Sequence, residues 1–131
     1  MAPPKLISVI DDDQSVREGL SRLLISAGFA VKTFESAEKY LGSDQPGKTD
    51  CLLLDLRMPG MSGIELQRKL VANHSEIPVI FITAHEEETE RAQGLQGDAS
   101  TVLIKPFSEE DLLNAISQAL TNKRIAEGGD S

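Results

Sequence analysis

The sequence predicts an α/β fold with a doubly wound parallel sheet of five strands and five helices. Short apolar segments alternate along the chain with segments whose apolar residues recur at helical spacing, and the connections between them are short. Residues 51–54 form a continuous apolar run, which is typical of a parallel strand buried on both faces. Pro59, Gly60 and Gly63 then require a loop before the next helix can begin.

Each predicted strand is followed by a predicted helix. The strands are expected at residues 6–10, 30–34, 51–55, 78–83 and 101–104. The helices are expected at residues 16–27, 36–41, 64–71, 86–97 and 112–120. Five such units at this length favour the flavodoxin-like strand order 2-1-3-4-5, in which strands 1 and 3 are neighbours.

Length and composition limit the domain organisation and the possible partners. A chain of 131 residues, 40% of them hydrophobic, can bury one core. We predict one domain over residues 1–122 and a disordered tail or linker over 123–131, where the composition becomes polar and Gly-rich. A net charge of -8 argues against direct binding of nucleic acid or an anionic membrane. The absence of a long apolar run and of a signal-peptide pattern predicts a cytoplasmic protein.

Carboxylates lie where two neighbouring strands end. Asp11 and Asp12 follow the first strand and Asp55 ends the third, so the predicted strand order brings them together. Two like charges about 4 Å apart repel by about 4 kcal/mol at an effective dielectric constant of about 20. A hard divalent cation resolves this repulsion, and Mg²⁺ is favoured because it combines one or two carboxylates with waters and a phosphate oxygen.

The acidic run also has a purely structural interpretation, which is helix capping. We expect Asp13 to lie near the cap of the first helix, and Ser15 with Glu18 matches a capping box. For Asp55, Ser62 is the better cap of the helix that follows, so Asp55 has no evident structural task.

Two further strand ends point to the same edge of the sheet. Thr83 ends the fourth strand, although a lone Thr is equally common as an ordinary strand residue. Lys105 follows the fifth strand; a lone Lys is normally solvated, but here apolar residues flank it and Pro106 fixes the local backbone in a bond that can be cis. A carboxylate, a metal, a hydroxyl and an ammonium together suit the transfer of a phosphoryl group.

The combined pattern resembles the receiver domain of two-component response regulators. The matching segments span residues 6–120 and are Asp11-Asp12, Asp55 with Met58-Pro59-Gly60, Thr83-Ala84 and Lys105-Pro106-Phe107. The resemblance implies that Asp55 accepts a phosphoryl group from a sensor histidine kinase. It also implies that Asp11, Asp12, Asp55 and the Arg57 carbonyl hold Mg²⁺, and that Lys105 and Thr83 contact the phosphoryl group. Such a domain is a signalling phosphoacceptor rather than an enzyme acting on a separate substrate.

The sequence departs from this family at one position that concerns the output. Receivers usually carry an aromatic residue three positions before the Lys, and here that position is Val102.

The segment 86–97 is predicted to be a weak helix, because Gly94 and Gly97 each lower helix stability by about 1 kcal/mol relative to Ala. We expect it to shift on phosphorylation, so that an effector domain or a second copy binds the surface of this segment, the fifth strand and the last helix.

Other protein classes fit less well. A haloacid-dehalogenase-like phosphatase would need an acid where Arg57 stands, and a flavodoxin would need a hydroxyl-rich phosphate loop where the acidic run stands. Neither a GxGxxG fingerprint nor a P-loop is present. The remaining alternative is a receiver-like interaction module that signals without phosphorylation; the intact acidic set and Lys105 argue against it, and Val102 leaves it open.

Overall fold

The computed structural model describes residues 3–73, 77–84 and 100–128, and within them it shows a five-stranded parallel sheet. The strand order is β2-β1-β3-β4-β5, which confirms the predicted doubly wound fold. The strands are β1 (Leu6–Ile10), β2 (Ala30–Phe34), β3 (Cys51–Asp55), β4 (Val79–Thr83) and β5 (Ser100–Ile104). The α-helices of the described residues are α1 (Gln14–Ser26), α2 (Ala37–Leu41), α3 (Gly63–Ala72) and α4 (Glu109–Gly128). The helix predicted over 86–97 lies outside the described residues.

The core has two layers, one on each face of the sheet. One layer packs α1 and α4 against the sheet through residues such as Leu24, Leu53 and Ile116. The other packs α2 and α3 through Tyr40, Leu54 and Leu66. Every residue of β3 and β4 is buried, as expected for central parallel strands, whereas β2 at the sheet edge is only partly buried.

Side-chain hydrogen bonds cap the N-termini of α1 and α3, and the cap of α1 differs from one of the sequence predictions. Asp13 caps α1 because its carboxylate accepts the N–H groups of Ser15 and Val16. The predicted Ser15–Glu18 capping box is therefore wrong: Asp13 starts the helix earlier, and Glu18 instead accepts a hydrogen bond from the Gln14 side chain. Ser62 caps α3 in a capping box with Glu65, which confirms the prediction that Ser62 is the cap of this helix.

The last helix continues further than its apolar face suggested. α4 runs to Gly128, six residues beyond residue 122, although half of residues 123–128 are charged. The run Lys123-Arg124-Ile125-Ala126-Glu127 consists mainly of good helix formers, so polarity alone did not mark a helix end. The division at residue 122 stays a prediction. In the described part of the chain no helix is both long and apolar enough to cross a membrane.

A buried group of hydroxyls joins α2 to the sheet. Tyr40 donates to Thr49 Oγ1 at 2.9 Å, and Thr49 donates to the Gln45 carbonyl at 2.8 Å. Ser8 Oγ lies 2.7 Å from the same Thr49 oxygen, and because the single Thr49 proton is committed to Gln45, Ser8 is the donor. Phe34 packs edge-on against Tyr40, with ring centroids 5.2 Å apart. These contacts join α2 to β1 and to the segment that precedes β3.

Candidate functional site

Three carboxylates meet at the carboxyl ends of β1 and β3. One oxygen each from Asp11, Asp12 and Asp55 lies within 4.8 Å of the other two. Asp11 is 1% exposed and Asp55 is 8% exposed, whereas Asp12 faces solvent. The predicted cluster is therefore present, and at these distances each pair repels by about 3 kcal/mol at an effective dielectric constant of about 20.

The protein provides only partial compensation for this charge. Lys105 Nζ lies 3.5 Å from Asp11 Oδ2, and the Arg57 N–H donates to Asp55 Oδ1 at 3.1 Å. Burial, followed by the charge of Asp11, raises the pKa of Asp55 to about 6, against the opposing effects of the Arg57 N–H and Lys105. Arg17 adds a second positive charge, because its guanidinium donates to the Asp11 carbonyl at 2.7 Å. Two positive charges beside three carboxylates still leave excess negative charge, which suits a divalent cation with oxygen ligands.

Main-chain hydrogen bonds hold the strand ends that carry the site. Each ladder continues one residue past its strand: Leu56 N donates to Ile82 O at 3.0 Å, and Lys105 N donates to Thr83 O at 2.7 Å. Thr83 is 1% exposed at the end of β4. The Lys105–Pro106 peptide bond is cis, as the sequence allowed. The backbones of Thr83 and Lys105 are thus joined beside the cluster.

The loop between β3 and α3 packs closely on the backbone of Asp55. Gly63 begins α3, and a Cβ added there would lie 2.5 Å from the Asp55 carbonyl oxygen. The Gly63 N–H donates to the Leu56 carbonyl at 3.3 Å. The absence of a side chain at Gly63 therefore allows α3 to approach the strand end that carries Asp55.

The comparisons with known proteins agree with this arrangement. A family model described as the response regulator receiver domain matches residues 7–117. The chain belongs to this family. It is thus a receiver domain, the phosphoaccepting signalling domain of two-component systems, and receiver domains bind Mg²⁺ at an acidic pocket such as the one formed here by Asp11, Asp12 and Asp55.

Relatives extend this result and show how much of their length the receiver domain covers. The response regulator protein TmoT of Ectopseudomonas mendocina is 44% identical over 115 residues, which make up 88% of this chain and 52% of TmoT. The structure of the response regulator StyR has a TM-score of 0.84 and 47% identity, with 98% of this chain and 65% of that chain covered. The receiver domain spans about half the length of the curated relatives it matches.

A structure of the response regulator TrrA from Thermotoga maritima was solved in complex with Mg²⁺-BeF. It has a TM-score of 0.79 and 27% identity to this receiver domain, and the match covers 88% of this chain and 99% of TrrA.

Two contacts to backbone beside the site were not predicted from the sequence. Arg17 of α1 donates to the Asp11 carbonyl, and Glu38 of α2 accepts the Met61 N–H at 3.0 Å. Gly60 adopts a φ of 78°, and a Cβ there would lie 2.7 Å from Glu38 Oε2. Main-chain N–H groups of Glu38 itself and of Met61 hold the pKa of the Glu38 carboxyl below its usual range. The Glu38 contact joins residues 23 positions apart, so no local sequence pattern signals it.

The raised pKa of Asp55 predicts a pH dependence of the metal-free receiver domain. Because the folded protein binds the Asp55 proton near pH 6 and an unfolded chain binds it only near pH 4, lowering the pH stabilises the folded state through this group. We expect the free energy of unfolding, relative to that of Asp55→Asn, to rise by about 2 kcal/mol as the pH falls from about 7 to about 4.

Chemical denaturation in EDTA, followed by circular dichroism at several pH values, measures this difference. The Asp55→Asn protein serves as the reference because it keeps all other titrating carboxylates. A difference between the two proteins that does not change between pH 7 and pH 4 would contradict the prediction.

Proposed function

We propose that Asp55 is the phosphoacceptor of this receiver domain and takes its phosphoryl group from a phosphohistidine of a sensor histidine kinase or phosphotransfer protein. An Asp55 carboxylate oxygen forms the new bond to phosphorus as the phosphorus–nitrogen bond of the phosphohistidine breaks. The electron pair of that bond stays on the imidazole nitrogen. The observation that carries the proposal is the packing of Asp55 against Asp11 and Asp12 within reach of Lys105.

We propose that Asp11, Asp12, Asp55 and the Arg57 carbonyl hold the Mg²⁺ of this site. Their donors are the hard oxygens that this ion prefers, and the excess negative charge of the cluster fits a divalent ion. Bound Mg²⁺ would supply charge neutralisation for the phosphoryl oxygens. Lys105 would pair with a phosphoryl oxygen, and the Thr83 hydroxyl, at the end of β4, would contact the group once it is attached to Asp55.

We propose that this domain is cytoplasmic. We also propose that it assists its own phosphorylation and dephosphorylation.

For the partner, we propose that an effector domain or second copy binds the surface formed by segment 86–97, β5 and α4. Ile104 of β5 is 37% exposed, which supports an apolar contact there. The expected shift of segment 86–97 lies outside the described residues. Val102 is half-buried beside Phe81, in the position where receivers usually carry an aromatic residue.

Intact-mass measurement tests the proposed function. The 131-residue chain is incubated with acetyl phosphate in Mg²⁺ and, separately, in EDTA. We expect a mass gain of one phosphoryl group that requires Mg²⁺. If neither sample gains mass, the phosphorylation-independent interaction module becomes the better interpretation.

Substitution of Lys105 provides a second prediction. Lys105→Met removes the ammonium beside Asp11 and Asp55, so we expect phosphoryl uptake from acetyl phosphate to slow by about a hundredfold. Lys48→Met is the matched control, because Lys48 pairs with the exposed Asp44 and not with the cluster. Equal uptake rates for the two variants would remove Lys105 from the proposed site.

A further inference from the structure

Asp11 is held at all four of its polar atoms. Its N–H donates to the Phe34 carbonyl at 3.1 Å, and its Oδ1 accepts the Asp13 N–H at 2.9 Å. Its Oδ2 lies 3.5 Å from Lys105 Nζ, and its carbonyl oxygen accepts a hydrogen bond from Arg17 Nη1 at 2.7 Å. The position of this residue is therefore set from four directions.

The Arg17 contact has a distinct task among these four. The paired residues of β1 end at Ile10, so the Asp11 carbonyl lies beyond the ladders to β2 and β3. Asp11 is 1% exposed, and a buried peptide oxygen is costly to leave without a partner. The guanidinium of Arg17, half-buried on the first turns of α1, provides a charged donor, which makes a short and strong hydrogen bond.

We propose that Arg17 is a positioning residue that fixes the backbone between Asp11 and Asp13, and so sets how tightly the acidic cluster binds a divalent cation. The proposal rests on the proposed function of the cluster as a Mg²⁺ site. Arg17 acts through a main-chain oxygen and not through a carboxylate. With Arg17 in place, the carboxylates of Asp11 and Asp12 stay close together in spite of their repulsion.

Arg17 could affect Mg²⁺ affinity as a backbone anchor or as a positive charge, and these two roles predict opposite effects of its removal. A positive charge near three carboxylates repels an incoming cation, so loss of the Arg17 charge alone would tighten Mg²⁺ binding. Loss of the anchor lets the carboxylates move apart and weakens binding. The direction of the change in affinity therefore separates the two roles.

Calorimetric titration with Mg²⁺ tests the proposal on the full chain. We expect Arg17→Met to bind Mg²⁺ about fivefold more weakly than the native protein, and Arg17→Lys, which keeps one charged donor, about twofold more weakly. Arg22→Met is the matched control, because Arg22 lines the same groove on α1 and loses the same charge. We expect its affinity to stay within about twofold of native or to increase slightly.

Native or tighter binding by Arg17→Met would overturn the proposal. If Arg17→Met does not fold, Arg17→Lys decides: weaker binding than native supports the proposal and unchanged binding overturns it. Hydrogen exchange in EDTA gives a second, metal-independent readout, because the Asp13 amide donates to Asp11 Oδ1. Exchange at Asp13 that is about fivefold faster in the variant, with α3 amides unchanged, supports the anchor, and equal exchange overturns it.

The second readout also separates this proposal from the proposed function. A native chain that does not bind Mg²⁺ would refute the metal site, while the exchange rate at Asp13 would still decide whether Arg17 holds the backbone of Asp11.

Discussion

Replacement of Asp55 by Asn is expected to abolish phosphoryl uptake from acetyl phosphate. Asn keeps the size of the side chain but lacks the anionic oxygen that would form the bond to phosphorus. It also removes one of the three carboxylates that lie within 4.8 Å of one another, so Mg²⁺ binding weakens as well. Intact-mass measurement in saturating Mg²⁺ should show the mass gain for the native chain and none for Asp55→Asn.

Asp13→Asn is the matched control for this prediction. It makes the same chemical change in the same part of the molecule, and Asn can still cap α1 by accepting the N–H groups of Ser15 and Val16. We expect its phosphoryl uptake to equal that of the native chain. Phosphorylation of the Asp55→Asn chain at the native rate would show that another residue is the acceptor.

Gly63→Ala is expected to be strongly destabilising, because an added Cβ at Gly63 meets backbone atoms more closely than at the other glycines with a described Cβ environment. The new Cβ would meet the Asp55 carbonyl oxygen at 2.5 Å and the Leu56 Cα at 3.1 Å, and both are backbone atoms. Either α3 or the end of β3 must move, so we expect the free energy of unfolding to fall by about 2–4 kcal/mol. The same movement displaces Asp55, so Mg²⁺ affinity should also fall.

Gly19→Ala serves as the control for the Gly63 prediction. Gly19 lies inside α1, and a Cβ there would have no atom within 4 Å. Because Ala is the better helix former, this variant should gain about 0.5–1 kcal/mol in the free energy of unfolding. Chemical denaturation followed by circular dichroism compares the two. A Gly63→Ala protein as stable as native would show that α3 does not pack on Asp55 as described.

The site was predictable from the sequence mainly because of strand topology. In a parallel sheet the carboxyl ends of all strands lie along one edge, so the residues at which the apolar runs stop are brought together. This reasoning placed Asp11, Asp12 and Asp55 in one cluster and put Lys105 beside it, and the structure has this arrangement.

The contacts that position the site were not predictable in the same way. The bond from Arg17 to the Asp11 carbonyl depends on how α1 leaves the first strand. The contact between Glu38 and Met61 depends on the path of a loop. The Ser15–Glu18 capping box failed because Asp13 was an equally good local cap that lay nearer the strand. Sequence pattern and sheet topology predict which strand ends meet, whereas side-chain contacts to loop backbone depend on the three-dimensional path of each loop.

The cluster of buried hydroxyls beneath α2 contains a tyrosine whose intrinsic fluorescence reports on this part of the fold. Tyr40 is the single tyrosine of a chain that has no tryptophan, and it is 0% exposed. Burial raises the pKa of Tyr40, although the Thr49 hydroxyl opposes this effect, so the phenol stays neutral when the carboxylates titrate. Its intrinsic fluorescence therefore follows the contact between α2 and the sheet without a label. Any rearrangement that separates Tyr40 from Thr49 changes the emission of a single fluorophore.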